Sequence, residues 1–293
     1  MDNAALQQWV GRSETVVDEA SLGLIRRLAA LLDRDPGSIT TGLPLPEGWH
    51  GVFFGPLALQ STLGADGHPR KGDFLPSIGL PRRMFAGRRT RFLAPIRVGE
   101  MVRRTSVIAS IARKQGRSDR MVFVTIRHGI TPASLEVEAV VEEQDLVFRG
   151  TPEPNSEPLA KAPSPTDADE PPQGIPPGAH RIRFQPDTAL LFRYSAVTFN
   201  AHRIHYDADY TRGIEGYPAL VVNGGLTALF LLELARSRMR GRIAAFATRN
   251  GRPLFAGRPA TLVCHAETPN RLRLWALDDR DRIAVEATAE GAA

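Results

Sequence analysis

The side chains best suited to acid–base chemistry are concentrated in one short segment, residues 195–207. Its ionisable and amide-bearing residues are Asn200, His202, Arg203, His205 and Asp207. Histidine titrates near neutral pH, so it can take up a proton and return it within one reaction. The segment therefore predicts a site for proton transfer. We expect the polar side chains beside the catalytic candidates, including Tyr206, to contact the substrate.

A second element with chemical potential lies eighteen residues beyond His205, in the string Val-Val-Asn223-Gly224-Gly225. These glycines open a predicted helix, and the N–H groups of a helix's first turn have no acceptor within the helix. Together with the helix dipole they can stabilise a developing oxyanion. A proton carrier and a carbonyl polariser are the two groups needed to add water across an α,β-unsaturated thioester, or to remove it.

Several of these residues also have a purely structural interpretation. His205 could be bonded to backbone, and Asn200 either holds a water molecule or caps its loop. Asp207 is better placed as the N-cap of a helix starting at Ala208 than as an acid. For Arg203, two partners stay open: an anionic group of the ligand or a neighbouring acid.

Metal and thiol chemistry find little support in the pattern. His202 and His205 have no evident third ligand, so we predict no metal site. Cys264 is the only cysteine, which excludes an internal disulfide. Cys264 and His265 are adjacent on a predicted strand and would face opposite ways, so we expect Cys264 in the core.

A proline-rich segment divides the chain into two domains. Residues 151–178 are about one-third proline and nearly free of large apolar side chains. Such a segment cannot bury enough surface to offset its ordering entropy, which predicts an extended linker. The predicted domains are residues 1–150 and 179–293.

The first half begins with a helical pattern and continues with strands. Apolar residues from Leu22 to Leu32 fall at helical spacing, and Pro36-Gly37 ends the run. Three later runs rich in valine and isoleucine predict strands, with a hairpin turn at 114–119. The predicted strands are 101–111, 121–128 and 135–148.

The second half repeats this order. A polar turn region at 195–218 precedes a predicted helix at 219–240. The predicted strands are 260–267, 271–277 and 282–287. The identity between Phe85-Ala-Gly-Arg88 and Phe255-Ala-Gly-Arg258, placed at the entry to each sheet, favours a duplicated unit of one helix and an antiparallel sheet. The fold class is then α+β.

The string from Phe199 to Asp207 resembles the signature of the MaoC-like hydratases, which carry Asp-x-Asn-Pro-Ile-His followed by an apolar-His-Gly helix start. The resemblance implies that His205 is the catalytic histidine and that the Gly224 N–H binds the thioester oxygen. Asn200 falls on the family's catalytic aspartate, and it cannot titrate. The resemblance is strongest to the branch of mitochondrial-type 3-hydroxyacyl-thioester dehydratases and bacterial mesaconyl-CoA and itaconyl-CoA hydratases.

The first half resembles the degenerate hot-dog domain of the same branch, through Gly64–Pro69, Leu80–Gly87 and Phe92–Glu100. The resemblance implies a double hot dog, whose sheets join edge to edge, each wrapped around a central helix. Nothing like Asn-x-His-x-x-His occurs in the first half, so its expected task is to shape the path of the acyl and pantetheine arms.

The resemblance implies a hydro-lyase acting on an acyl-CoA or an acyl carrier protein thioester. His205 would exchange the proton, Asn200 would orient the water, and His202, Arg203, Tyr206, Asn223 and Gly225 would contact the substrate. No cofactor is expected beyond the CoA carried by the substrate. Three alternative functions remain: a dehydratase of fatty-acid metabolism, a thioesterase, and a non-catalytic acyl-thioester binding module. A thioesterase would need a carboxylate at the helix start, and Asn223-Gly224-Gly225 offers none.

We further expect a short dicarboxylic acyl group, with itaconyl-CoA or mesaconyl-CoA ahead of linear enoyl-CoAs. Arg193, Arg203 and Arg212 surround the predicted site in sequence, and an arginine can bind a carboxylate through two parallel hydrogen bonds. The same side chains could instead hold CoA phosphates.

The composition limits the classes of partner that we expect. The 293 residues carry a net charge of +5, and arginine supplies almost all of the positive charge. The arginine cluster at residues 82–91 lies in a strand-like region and lacks the one-faced helical spacing of a helix that reads a DNA groove, so we predict a solvated face and no nucleic-acid binding. No apolar run approaches membrane-spanning length, and the start of the chain does not resemble a signal peptide. We expect a cytoplasmic protein and name a homodimer as the candidate assembly.

Overall fold

The structure, a computed structural model, describes residues 3–70, 72, 74–80, 82–115, 120–150 and 174–292. It divides into two compact units. The first comprises Met1–Ala29 and Asp35–Asn155, and the second comprises Ala30–Arg34 and Ser156–Ala293. Most of the predicted linker, residues 151–178, lies outside the described residues.

The first unit contains five strands. Its elements are α1 (Asn3–Gln7), β1 (Ser13–Glu19), α2 (Leu22–Leu31), β2 (Arg82–Phe92), β3 (Met101–Gln115), β4 (Arg120–Pro132) and β5 (Val140–Arg149). The strands pair in the order β1-β3-β4-β5-β2, and every pairing is antiparallel. The predicted helix and the three predicted strands of this half are confirmed, whereas β1 was not predicted. The predicted turn at 114–119 lies largely outside the described residues, but β3 and β4 pair as far as Gln115 and Arg120.

The second unit has the same strand order. Its elements are β6 (His180–Phe184), α3 (Thr188–Val197), α4 (Ala208–Gly213), α5 (Gly224–Arg238), β7 (Ile243–Asn250), β8 (Ala260–Thr268), β9 (Arg271–Leu277) and β10 (Ile283–Gly291). Its antiparallel order β6-β8-β9-β10-β7 repeats the first unit's order strand for strand. The α+β prediction and the duplicated unit are therefore confirmed.

The repeated Phe-Ala-Gly-Arg string, however, does not mark equivalent positions. Residues 85–88 lie within β2, whereas residues 255–258 lie in the connection between β7 and β8. The structural counterpart of Gly257 is Gly99, which precedes β3 as Gly257 precedes β8, and both have a left-handed φ, +80° and +87°. The string identity is a coincidence, and the duplication is carried by the order of the elements.

Helix α5 is the central helix of the second unit. It packs against β7, β8, β9 and β10, and its buried residues occupy all sides. A helix that is apolar all round is a buried helix, which explains why its pattern shows no polar face. It begins at Gly224 and not at the predicted Ala219, because Leu220–Val222 is extended and pairs with Leu254–Ala256. Apolar content alone does not separate such a strip from the first turn of a helix. None of the described helices is both long and apolar enough to cross a membrane.

A row of polar side chains crosses the buried face of the first unit's sheet. Ser106, His128, Glu142 and Thr90 are direct cross-strand neighbours on β3, β4, β5 and β2, and each is at most 8% exposed. Glu142 forms an ion pair with Arg88 at 3.1 Å. Buried charges of this kind persist only when they are paired.

The charge state of Glu142 follows from these neighbours. Burial by itself would raise the pKa of Glu142, but the charge of Arg88 and the hydrogen bond with His50 outweigh burial and hold this pKa well below its usual range. The prediction of a solvated arginine face is therefore wrong for Arg88, which serves this carboxylate. Arg89 agrees with the prediction of a solvated face, since its side chain is half exposed and pairs with Glu143 and Asp145.

His128 makes the stability of the protein dependent on pH. Burial lowers the pKa of His128 to about 4, and the ring is held between Ser106 at 2.8 Å and Gln144 at 3.3 Å. Between pH 6.5 and 4 the unfolded chain binds a proton that the folded chain does not, so stability falls as the pH falls through this window. Denaturant titration should show a free energy of unfolding lower by about 2 kcal/mol at pH 5.0 than at pH 7.5. In a His128→Gln variant this difference should shrink by the same amount; an unchanged pH dependence would contradict the assignment.

Candidate active site

The loop that carries the site begins where α3 ends. The Thr198 hydroxyl donates to the Tyr194 carbonyl at 2.7 Å, and Phe199 has a left-handed φ of +51° that turns the chain out of the helix. Asn200 then closes a tight turn, because its Oδ1 accepts the His202 N–H at 3.0 Å. This geometry confirms the loop-capping interpretation of Asn200.

His205 is fixed at the end of the following 3-10 turn, Arg203–His205. It is 7% exposed, and its Nδ1 lies 2.7 Å from the carbonyl oxygen of Val221. Because a carbonyl only accepts, Nδ1 carries the hydrogen, and in the neutral ring Nε2 therefore holds the lone pair. The backbone bond that the structural interpretation of His205 required is present, and it produces the tautomer that a general base needs.

His202, the other histidine of the loop, lies beside His205. The rings of His202 and His205 meet edge to face, with centroids 5.4 Å apart. Val221, which orients His205, also donates its N–H to Ile204 at 2.9 Å. The sequence offered no signal for Val221, since the group that acts is its backbone carbonyl.

The start of α5 is tied to the histidine loop through two amides. Asn200 Nδ2 donates to Asn223 Oδ1 at 3.2 Å, so Asn223, the N-cap residue, does not cap its own helix. The N–H groups of Gly224 and Gly225 begin that helix with the positive end of its dipole. Loop and helix start, which the sequence places eighteen residues apart, are thus brought together.

The side-chain amide nitrogen of Asn223 is a buried hydrogen-bond donor near the histidine loop. Asn223 is 5% exposed, and its Nδ2 is buried without a hydrogen-bond partner among the described residues. Its orientation is fixed, because its Oδ1 already accepts from Asn200. Leaving a buried donor unpaired costs about 1–3 kcal/mol, so such a group usually has a partner in the working state. A bound thioester oxygen or water would supply that partner.

Packing against α3 requires a glycine at position 225. A Cβ at this position would lie 2.5 Å from the hydroxyl oxygen of Tyr194, a buried residue of α3. Sequence reasoning did not single out Tyr194. Its role is visible only when α3 and α5 are placed side by side.

We therefore expect Gly225→Ala to destabilise the protein by about 1–3 kcal/mol, the usual cost of overpacking. Adding Tyr194→Phe removes the oxygen that the new methyl group meets, so the double variant should recover most of the lost stability. Thermal denaturation of the wild type, both single variants and the double variant measures this coupling. Additive losses would show that Tyr194 is not the obstacle.

Asp207 and Arg203 form a pair that supports the loop. Asp207 is the N-cap of α4, with its Oδ1 accepting the Tyr210 N–H at 2.9 Å, as predicted. The Arg203 guanidinium contacts its other oxygen at 2.7 Å and lies over the Tyr210 ring. The hydrogen bond from the Tyr210 N–H, and then Arg203, lower the pKa of Asp207, so this carboxylate is a weak base. For Arg203 the open choice is resolved in favour of the neighbouring acid.

The three arginines proposed to bind a carboxylate differ in their surroundings. Arg193 and Arg212 are exposed, and Arg212 donates to the Pro218 carbonyl at 3.3 Å. Arg203 is paired with Asp207, so of the three only Arg193 and Arg212 keep an exposed guanidinium, and the selection of a dicarboxylate by these arginines stays a prediction. Tyr206 is likewise half exposed, and its hydroxyl donates to the Ala201 carbonyl at 3.0 Å.

Cys264 plays no part in the site. It is buried on β8, and burial raises the pKa of its thiol. The prediction that it belongs to the core is confirmed.

The site and fold together define an enzyme class. A two-unit α+β protein places a buried histidine, whose Nδ1 is bonded to a backbone carbonyl, near a glycine-rich helix start, and both features are expected in a hot-dog hydratase or dehydratase. The family model for hydroxyacyl-thioester dehydratase type 2 matches residues 48–256. The chain belongs to this family of MaoC-like enzymes.

The relatives agree with this assignment. The chain is 43% identical to the mesaconyl-C(4)-CoA hydratase of Chloroflexus aurantiacus, over 99% of both chains. Among solved structures it resembles a MaoC-like dehydratase of Phytophthora capsici, with a TM-score of 0.64, 11% identity, and coverage of 98% of this chain and 97% of that one. It also resembles a double hot-dog protein of Mycobacterium tuberculosis, with a TM-score of 0.58, 15% identity and 96% coverage of both chains. These structural likenesses confirm the double hot-dog fold.

Proposed function

We propose that the protein hydrates the α,β double bond of a short unsaturated dicarboxylic acyl-CoA, with mesaconyl-CoA as the preferred substrate. The observation that carries the proposal is the placement of the His205 base beside a helix start whose Asn223 amide lacks a partner among the described residues. Identity to the Chloroflexus aurantiacus hydratase over the full chain supports the choice of substrate. The three candidate arginines do not carry the proposal, because Arg203 is paired with Asp207 and Arg193 and Arg212 are exposed.

The proposed reaction begins with water. His205 Nε2 takes a proton from a water molecule as its oxygen bonds to the β-carbon, and the π electrons of the double bond move onto the thioester oxygen. The N–H groups of Gly224 and Gly225, with Asn223 Nδ2, stabilise this enolate oxygen. The protonated His205 then returns the proton to the α-carbon, which completes the hydration without another cofactor.

Asn200 has a supporting role in this proposal. Its Oδ1 and Nδ2 each make one hydrogen bond, to His202 and to Asn223. Each atom has capacity for one more bond, so Asn200 can both hold the loop and orient the attacking water. Because it does not titrate, the whole proton transfer falls to His205. His202 and Tyr206 line the loop around it.

The same groups run the reverse reaction by microscopic reversibility. The family model, which describes hydroxyacyl-thioester dehydratases, favours this as the second candidate function, with a longer hydroxyacyl chain. A thioesterase is less well supported, since neither Asn223 nor the glycines after it offer a carboxylate.

Substrate profiling tests the proposal. We expect kcat/KM for mesaconyl-CoA to exceed that for crotonyl-CoA at least about tenfold, the scale on which a pocket separates near-analogues. Itaconyl-CoA should fall between them. A parallel assay for free thiol should detect no thioester hydrolysis. A preference for crotonyl-CoA or for medium-chain 3-hydroxyacyl thioesters would replace the proposal with dehydration. No turnover of any of them would indicate a binding module.

A further inference from the structure

Besides Asn223, Ser195 carries a buried polar group in the region of the site. It lies on α3 and is 8% exposed, and its Oγ is buried without a hydrogen-bond partner among the described residues. Most buried side-chain hydroxyls have at least one partner, because taking an unpaired hydroxyl out of water costs free energy. The hydroxyl of Ser195 is therefore available to a small polar ligand that reaches the site.

Other hydroxyl side chains in the helices of the second unit are bonded within their own helix. Serine and threonine commonly donate to a carbonyl one turn earlier. Thr198, at the end of α3, donates in this way to the Tyr194 carbonyl at 2.7 Å. Ser237, near the end of α5, donates to the Leu234 carbonyl at 2.8 Å. Ser195 forms no such bond, so its own helix does not satisfy it.

Ser195 belongs to the turn of α3 that contacts the parts of the proposed site. It follows Tyr194 on the buried face of α3, and the Tyr194 hydroxyl reaches the position of Gly225 at the start of α5. Helix α3 also contacts the 3-10 turn Arg203–His205. The Ser195 carbonyl accepts the Asn200 N–H at 2.8 Å. The Ser195 hydroxyl is thus buried where the helix, the histidine turn and Asn200 meet.

The attacking water of the proposed reaction needs a hydrogen-bond donor as well as two acceptors. One of its hydrogens goes to His205 Nε2, and the other can go to Asn200 Oδ1, which accepts one bond already, from the His202 N–H. An amide oxygen has two lone pairs, so this second bond is possible. One lone pair of the water must face the β-carbon, and the other lone pair then accepts a hydrogen bond. The Ser195 O–H, which is buried without a partner among the described residues, is suited to donate it.

We infer that Ser195 Oγ donates a hydrogen bond to the attacking water and fixes it beside Asn200, an inference that rests on the proposed hydration. A buried water usually has two or more polar partners in the protein, and Ser195 and Asn200 supply two. The water is then held in place before the substrate binds, so it need not be ordered during the reaction. Ser195 keeps its proton throughout, and the bonds made and broken are those of the proposed reaction.

The test uses the full-length enzyme and the variant Ser195→Ala, which removes only the hydroxyl. We expect kcat for mesaconyl-CoA to fall about tenfold, the value of one hydrogen bond made to the reacting water. KM should change by less than about twofold, because no contact with the substrate is lost. The Tm should stay close to that of the wild type, because the hydroxyl bonds no protein group among the described residues.

Ser237→Ala is the matched control. It removes the same atom from a helix of the same unit, at the opposite end of α5 from the site, where the hydroxyl is bonded to its own helix. Its kcat and KM should equal those of the wild type. A crystal structure of the unliganded enzyme should also show an ordered water about 2.7–3.0 Å from Ser195 Oγ and from Asn200, and that of Ser195→Ala should lack this water.

An unchanged kcat in Ser195→Ala would overturn the inference, and the proposed hydration would stand. A loss of kcat accompanied by an equal rise in KM or by a lower Tm would also overturn it, since Ser195 would then serve the fold or the substrate. So would a water that contacts Asn200 and leaves Ser195 unbonded. If the wild type does not hydrate mesaconyl-CoA but the crystal shows the water on both residues, the proposed function fails and the water site stands.

Discussion

His205→Ala is expected to lower kcat for mesaconyl-CoA by about 10²–10⁴-fold, the usual contribution of a positioned acid–base group. The reason is geometric. The Val221 carbonyl fixes the hydrogen on Nδ1, so Nε2 is the atom that can accept a proton from water. Steady-state kinetics measures the loss, and circular dichroism establishes that the variant is folded.

His202→Ala is the control for this prediction. His202 stands edge to face with His205 and lies on the same loop, so it shares the surroundings but not the bond to Val221. We expect kcat to fall by no more than about tenfold, because the proton carrier is intact. If His205→Ala retained activity within a few-fold while His202→Ala did not, the roles of the two histidines would have to be exchanged.

Asn223→Asp is expected to lower kcat by about 10²–10³-fold, the loss that follows removal of one oxyanion donor. The substitution keeps an oxygen to accept from Asn200 Nδ2 and replaces the orphaned Nδ2 by a second oxygen. An acceptor that carries negative charge at this point repels the developing enolate. The readout is kcat, with KM changing less.

The same variant separates chemistry from structure. Aspartate is a favourable N-cap residue at the positive end of a helix, so thermal stability should be kept or increased. Asn223→Ala serves as a companion, because it removes both the donor and the bond to Asn200. If Asn223→Asp were as active as the wild type while Asn223→Ala was impaired, Asn223 would only brace Asn200.

The long, amphipathic elements were predictable from the sequence, and the short or edge elements were not. Strands β3, β4 and β5 are rich in apolar residues that alternate with polar ones, and they appear close to their predicted positions. β7 escaped prediction, and so did β1 and β6, which each lie at a sheet edge and pair with one strand only. Their backbone bonds, and not buried side chains, define them.

The residues of the candidate site were predictable because they are adjacent in sequence, whereas their contacts were not. His205, Asn200 and Asn223 could be chosen by type and spacing. The bond from His205 to a backbone carbonyl, and that between the two amides, depend on how loop and helix start fold together. The prediction for Arg203 was left open for the same reason, since its partner Asp207 becomes a neighbour only in the turn.

The proposed oxyanion site can be observed in a crystal structure of the enzyme with the saturated analogue of mesaconyl-CoA, which cannot take up water. We predict that the thioester oxygen lies about 2.7–3.1 Å from the N–H of Gly224 or Gly225. Asn223 Nδ2 should contact the same oxygen, and His205 Nε2 should face the α- and β-carbons. A thioester bound away from the start of α5, or a Gly224 N–H turned into the protein, would contradict the assignment of the α5 start as the oxyanion-binding site.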